Sequence, residues 1–206
     1  MERTIPNTIA YSLLAGAMIA IGGMAFLLTE STIFSAIIFS VALLCICNSD
    51  YYLYTGKIGY APWAKKFKSE FAFLLLVLVY NIVGAGVMAI IFKYSNPSII
   101  DIAKPIVEKK LLLTIPQIFF RAFGCGMLMY MAVSIYKNKQ NNIGIIFCIP
   151  AFILAGFEHS IADVFYIFTA EAWSVRAIIF TLTAILGNTC GSLFLSIPDK
   201  VYKETK

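Results

Sequence analysis

The sequence predicts an all-α integral membrane protein. Six transmembrane helices form one domain over residues 1–206, in two inverted three-span halves, roughly 1–95 and 111–198, with the second and fifth spans broken. Three observations carry this. Hydrophobic residues make up 60% of the chain and charged residues 13%, with mean hydropathy +0.85, far more apolar than soluble domains. At 206 residues the chain holds about six spans of the roughly 20 apolar residues that a hydrocarbon core demands, and no separate soluble domain. An Asn-x-x-Gly element also recurs three spans apart, each time after a polar interruption of an apolar run.

The first span, about residues 9–29, carries Gly16, Gly22 and Gly23, small residues that let helices approach closely in lipid. It is too long for a signal-peptide core, and only Arg3 precedes it as a basic residue, so it is expected to stay as a true span. The second begins near Ile33, reads cleanly to Cys45 and then turns polar at Asn48-Ser49-Asp50, ahead of Tyr51-Tyr52-Leu53-Tyr54-Thr55-Gly56-Lys57. Such interruptions are tolerated at membrane depth only where they are buried or line a cavity. Residues 62–70, with Lys65, Lys66 and Lys68, read as an interfacial basic connection. The third span, about 71–92, contains Asn81-Ile82-Val83-Gly84, and 96–110 is the longest polar connection. Gly124 and Gly126 lie in the fourth span, about 111–136, and a short basic link, 137–142, leads to the fifth, 143–169. The sixth, about 173–197, carries Gly187-Asn188-Thr189-Cys190-Gly191 before a short charged tail. Cys45, Cys47, Cys125, Cys148 and Cys190 all fall in apolar spans without metal-ligand spacing and read as free thiols.

Six spans put both termini on one side, and the lysine and arginine bias selects the cytoplasm. That choice places Arg3, Lys57, Lys65, Lys66, Lys68, Lys137, Lys139, Lys200, Lys203 and Lys206 inward, against Lys93, Lys104, Lys109, Lys110, Arg121 and Arg176 outward. The outward cations gather between spans three and four, where they either meet lipid headgroups or concentrate anions at a mouth. A short multi-pass chain without a targeting peptide suits the cell membrane of a prokaryote.

The repeat sets Asn81 and Gly84 against Asn188 and Gly191. Thr55 precedes Asn81 by 26 residues and Ser160 precedes Asn188 by 28, so each half reads as a break, a hydroxyl and then an Asn-x-x-Gly helix. Halves of three spans run in opposite directions, and paired broken helices then meet near the midplane.

Within the fifth span, Ala155-Gly156-Phe157-Glu158-His159-Ser160-Ile161-Ala162-Asp163-Val164 holds three ionisable residues, including the only histidine. Ionisable groups at that depth face a protein interior or a water-filled cavity. Ser160 followed three residues later by Asp163 has capping-box spacing, so a half-helix is expected to start at Ser160 with Asp163 as a capping residue. Its N–H groups and positive dipole end suit an anion or the polar end of a weak acid. His159 is then placed to lend a proton, hold a partner or gate by protonation, although a histidine tied to a neighbour simply to close a helix break is the plainer role. Glu158 is expected to bond main-chain groups freed at the break.

The run Gly156 to Asp163 resembles the central-histidine motif of the formate/nitrite transporter family, and the likeness extends across nearly the whole chain. Leu53-Tyr54-Thr55-Gly56 is similar to the family's loop that breaks span two, Tyr80-Asn81-Ile82-Val83-Gly84-Ala85 to its third-span motif, Phe120-Arg121-Ala122-Phe123-Gly124-Cys125 to its fourth span and Gly187 to Gly191 to its sixth. The resemblance implies an aquaporin-like protomer with its own pore, a homopentamer in a lipid bilayer, and passage of small monovalent anions or their acids: formate, nitrite, hydrosulfide, lactate or acetate. By position it implies that His159 is the central pore histidine, Thr55 the hydroxyl facing it, Asn188 the amide near both and Lys110 an outer-vestibule cation. Phe39, Leu43, Leu53 and Phe152 match the apolar constrictions above and below the histidine. Departures fall at Gly126 and Asp163, where the family has asparagine, at Asn7, in place of an inner-vestibule lysine, and at Lys57, where asparagine is common. Loss of the amide at Gly126 is expected to widen or re-polarise the pore, and Lys57 to bring a cation closer from inside.

The mechanism expected is attraction of an anion by cationic vestibules, a barrier to bare charge at two apolar constrictions, and a proton supplied by His159 or by water it organises. Thr55 and Asn188 would hold the ring or the solute. No nucleophile–base pair, phosphate-cradling Gly-rich loop or metal-ligand pattern supports an enzyme, a cofactor or a nucleic-acid partner. Two other readings stand beside this one: a channel for a small neutral solute, in which His159 only donates hydrogen bonds, and a non-transporting membrane accessory protein.

Overall fold

A computed structural model describes residues 4–29, 32–64 and 66–204, with side chains to residue 198. Arg3, Lys65 and Lys206 from the inward cation count lie outside the described residues, as do the side chains of Lys200 and Lys203. The described residues form nine α-helices and one 3₁₀ turn, with no strand. Four helices are long and apolar enough to cross a membrane: α1 (Ile5–Leu28), α4 (Phe67–Ser95), α6 (Ile115–Lys139) and α9 (Val175–Glu204, apolar through Pro198). Shorter apolar helices are α2 (Thr32–Asn48), α7 (Ile143–Leu154) and α8 (Ser160–Thr169). One turn of helix, α3 (Tyr54–Lys57), runs into the 3₁₀ turn Ile58–Trp63. The polar connection after span three contains a helix of its own, α5 (Ile99–Leu111), with Lys109 and Lys110 in its last turn.

Local chemistry explains where helices start and stop. Thr4 caps α1, its Oγ1 accepting from Asn7 N–H, with Pro6 in the first turn. A capping box of Thr114 and Gln117 opens α6, with Gln117 Oε1 2.8 Å from Thr114 N. Both α2 and α7 end in the same device. Asp50 takes φ 55°, Tyr51 N–H donates to Ile46 C=O and Asp50 N–H to Cys47 C=O. Gly156 takes φ 67°, Phe157 N–H donates to Phe152 C=O and Gly156 N–H to Ile153 C=O. These are Schellman motifs, which need a left-handed residue just past the helix. Residues 49–53 and 155–159 are thereby turned out of helix, and α3 and α8 restart immediately beyond them.

The main packing units are α1 on α4 and α6 on α9. Glycine decides both. A Cβ on Gly16 would collide with the main chain of Asn81, and one on Gly84 with that of Leu13. The second unit repeats this: Gly126 lies against the main chain of Asn188, and Gly191 against that of Phe123. Backbones this close are what small residues permit where lipid supplies no hydrophobic drive between helices. One expectation is thereby overturned. Gly126 is not a missing amide beside His159, because it faces α9 and leaves no room for a side chain; Ser192 Oγ donates to its carbonyl at 3.0 Å. All five cysteines are free thiols.

Candidate functional site

Each Asn-x-x-Gly asparagine ties down one break. Asn81 Oδ1 accepts from Tyr54 N–H at 2.8 Å, and its Nδ2 donates to Tyr52 C=O at 2.8 Å and Ser12 C=O at 2.7 Å. Asn188 does the same in the other half: Oδ1 accepts from Ser160 N–H at 2.9 Å, and Nδ2 donates to Glu158 C=O and Ala122 C=O, both at 2.9 Å. The equivalent positions are therefore Tyr54 and Ser160, not Thr55 and Ser160, and equivalence is carried by main-chain N–H groups rather than hydroxyls. Asn188 spends its acceptor and both amide hydrogens on main chain, so it braces the break instead of holding the histidine ring or a solute. Nothing in the sequence assigns this brace to Asn81 and Asn188 beyond the recurrence of the motif itself.

At the restart of α8 the N-cap is His159, not Ser160. Its Nδ1 accepts from Ala162 N–H at 3.2 Å, and Ser160 Oγ is buried without a partner. Because a main-chain N–H only donates, Nδ1 carries no proton and Nε2 holds the one proton of a neutral ring. Nε2 lies 2.9 Å from Thr55 Oγ1, which it serves as donor, leaving the hydroxyl hydrogen of Thr55 free to point elsewhere. Both residues are buried, at 2% and 1% exposure. Phe152 stacks on the imidazole with ring centroids 6.0 Å apart and meets Phe39 edge-on at 6.1 Å.

Two cavities lie near this bond, one reaching His159 and the other Gly56, next to Thr55. One, of about 270 Å³, is lined by Phe39, Phe152 and His159 and extends to Lys109, Lys110, Arg121, Glu158 and Asp163. The other, of about 310 Å³, is lined by Leu43, Leu53 and Gly56 and extends to Asp50, Lys57 and Lys137. The four apolar candidates thus divide into two pairs, phenylalanines toward α5 and leucines on the far side. Lys57 does line the second cavity, with its Nζ 4.5 Å from the centre of the Tyr52 ring.

Lys110 is not an open cation. Its Nζ bonds Glu158 Oε2 and lies 2.9 Å from Asp163 Oδ1, while Arg121 Nη1 is 3.8 Å from Glu158 Oε1. Burial opposes its charge, yet Asp163 and Glu158 hold the Lys110 ammonium well above the ordinary lysine range. Asp163 is therefore a partner of Lys110 rather than a capping residue, and the Glu158 side chain bonds a cation rather than the broken main chain. Other cations on this face are also engaged: Lys93 with Glu171 at 2.8 Å, Lys104 with Asp101 at 3.9 Å, and Arg176 through Nε with Leu111 C=O at 2.9 Å. The expected pool of cations is largely paired. No sequence signal links Lys110 to carboxylates 48 and 53 residues away.

The site is thus a buried polar contact with a cavity on either side, among helices long and apolar enough to cross a membrane. The chain belongs to the formate/nitrite transporter family, whose model matches residues 1–198. A formate-nitrite transporter of Plasmodium falciparum is 25% identical over 194 residues, covering 81% of this chain and 63% of that protein, so the chain spans less than two thirds of that relative's length. A probable formate transporter of Methanothermobacter thermautotrophicus is 29% identical over 239 residues, covering 92% of this chain and 86% of that protein. Among solved structures, a pentameric formate channel with formate bound shares the fold, with TM-score 0.80 at 17% identity over 97% of both chains. The chain is thus a multi-pass membrane protein of a transporter family and not an enzyme.

Proposed function

We propose that this protein passes small monovalent anions, or their weak acids, through a pore centred on the Thr55–His159 bond. The observation that carries the reading is that bond's place, 2.9 Å long and buried, with a cavity on either side that has an apolar pair in its lining. Phe39 with Phe152 and Leu43 with Leu53 are the constrictions, where bare charge is costly. α2 with α3, and α7 with α8, form the broken second and fifth of six spans, and the matched asparagine braces support a three-plus-three inverted repeat within one transmembrane domain. Both termini are assigned to the cytoplasmic side of a cell membrane by the positive-inside bias, which makes the α5-side cavity the outer vestibule. A homopentamer is proposed from the assembly of the formate channel that shares the fold.

The chemistry at the centre follows from the ring's protons. Full protonation of His159 breaks its cap on Ala162 N–H, and loss of the Nε2 proton leaves an imidazolate. His159 and Thr55 are thus better suited to hydrogen-bond the solute at the constriction than to give up a proton, which then comes from water. The test is flux of formate, nitrite, hydrosulfide, acetate and lactate into proteoliposomes across pH, for wild type, His159→Ala and Thr55→Val. Flux of at least one of these solutes, lowered about tenfold or more in both variants, is expected. Variants that fold and match wild type in rate and pH profile would refute the centre; no flux of any solute would refute the function.

A further inference from the structure

The outer cavity holds an acid that the proposed pore chemistry does not use. Asp163 is 1% exposed and gives one oxygen, Oδ1, to Lys110, while its other oxygen, Oδ2, is buried with no partner. Glu158, 2% exposed, competes for the same ammonium. The charged and titratable groups around them are few. α5 contributes Lys109 and Lys110; α6 contributes Arg121, which reaches only Glu158, and the buried Cys125; the break contributes His159, held neutral; and α8 contributes Tyr166, whose ring lies 5.8 Å from Lys110 Nζ. α1 adds only Phe26 to the lining, and α4 and α9 add no residue to it. One lysine is therefore shared by two buried carboxylates, of which only Glu158 also meets Arg121, and one oxygen of Asp163 is unsatisfied. Buried carboxylate oxygens that find neither cation nor donor are stabilised by carrying the proton themselves.

We propose that Asp163 is a specificity-determining residue of the outer vestibule, binding a proton on Oδ2 and thereby deciding whether an anion is admitted. Ionised, Asp163 and Glu158 together offset most of the positive charge that Lys109, Lys110 and Arg121 would present to an approaching anion. Protonated, Asp163 stays on Lys110 through Oδ1 but no longer opposes its charge, so the ammonium faces the cavity with Glu158 as its one anionic partner. Anion and proton then occupy the vestibule together, and solutes that travel as a proton–anion pair are selected over permanently ionised ones. Asp163→Asn is isosteric, keeps an oxygen for Lys110 and imitates the protonated state at every pH.

This inference rests on the transport reading above, and its test separates the two. Tracer formate exchange at equal concentration on both sides of proteoliposomes is measured from about pH 5 to about pH 8 for wild type, Asp163→Asn and Asp163→Glu. Bulk formic acid falls equally for all three as pH rises, so the ratio of variant to wild type cancels it. The Asp163→Asn ratio is expected to start near one and climb to about tenfold by about pH 8, the factor that about 1.4 kcal/mol represents. Asp163→Glu is expected to retain the wild-type slope. A ratio for Asp163→Asn that stays flat across pH overturns the proposal while leaving transport standing; absence of exchange in wild type overturns transport itself. Should Asp163→Asn fail to elute as a folded oligomer, Asp163→Ser, which is also uncharged, is read against the same criterion.

Discussion

Asn188→Ala separates bracing from solute binding. Asn188 is fully buried and makes three hydrogen bonds, all to main chain. Removing its amide leaves Ser160 N–H and Glu158 C=O without partners inside the broken segment, whereas Ala122 C=O, within α6, keeps its helical partner. Each orphaned buried group costs about 1–3 kcal/mol, so the substitution is expected to cost about 2–6 kcal/mol. For a chain of this size each kcal/mol lowers the melting temperature by roughly 2–4 °C, which gives a fall of roughly 4 °C at the least. Asn81→Ala orphans Tyr54 N–H and Tyr52 C=O in the same way and is expected to cost a similar amount. The assay is thermal unfolding of detergent-purified protein, followed by fluorescence and size-exclusion retention, beside formate flux. Stability and flux should fall together. If Asn188→Ala melts like wild type while flux drops, the amide acts on solute and the bracing argument is wrong.

Other outcomes follow from the same geometry. Gly126→Asn, which installs the family's residue, drives a side chain into the Asn188 main chain; a loss of about 3 kcal/mol or more is expected in thermal unfolding, and Gly126→Ala should already cost about 1–3 kcal/mol. Gly156→Ala meets no atom within 4 Å but must hold φ 67°, so its cost should be smaller, about 1–2 kcal/mol in the same assay. Thr55→Ser should restore flux that Thr55→Val loses, because the serine hydroxyl still accepts from His159 Nε2. Glu171 is exposed, and its hydrogen bond to Lys93 holds its carboxyl below the usual range. Its contribution is therefore present above the ordinary carboxylate range and lost as pH falls through it, so Glu171→Gln and wild type should melt alike below about pH 3 and differ, if only slightly, at neutral pH.

Much of the scaffold was legible in order along the chain. Membrane class follows from composition, because lipid burial needs long apolar runs whatever their partners. Chain breaks near Asp50 and just ahead of Ser160 were visible as polar interruptions, since the signals that start and stop a helix are local. Helix α5 was read only as a polar connection, because its face is defined by what it packs against. The Asn-x-x-Gly recurrence marked the right residues, but its pairing with Thr55 was one position off: hydroxyls can be counted in a sequence, whereas the main-chain N–H that actually bonds is the same in every residue.

At the site, residue types alone singled out His159, since a lone histidine inside an apolar span is conspicuous wherever the chain goes. Its tautomer was decided only by the tertiary structure, through Ala162 N–H on one nitrogen and Thr55, 104 residues away, on the other. Gly126 shows the opposite failure. Compared with the family pattern it looked like a vacancy in a pore, yet the approach of α9 makes it a contact that no side chain fits. Lys110 and Asp163 show a third: read singly, one was a vestibule cation and the other a cap, and folding joins them into an ion pair. Charge, hydropathy and helix stops are properties a residue carries with it, so the sequence determined them by itself. Which groups neutralise, brace or face one another depends on where distant segments meet, and that only the packed helices could decide.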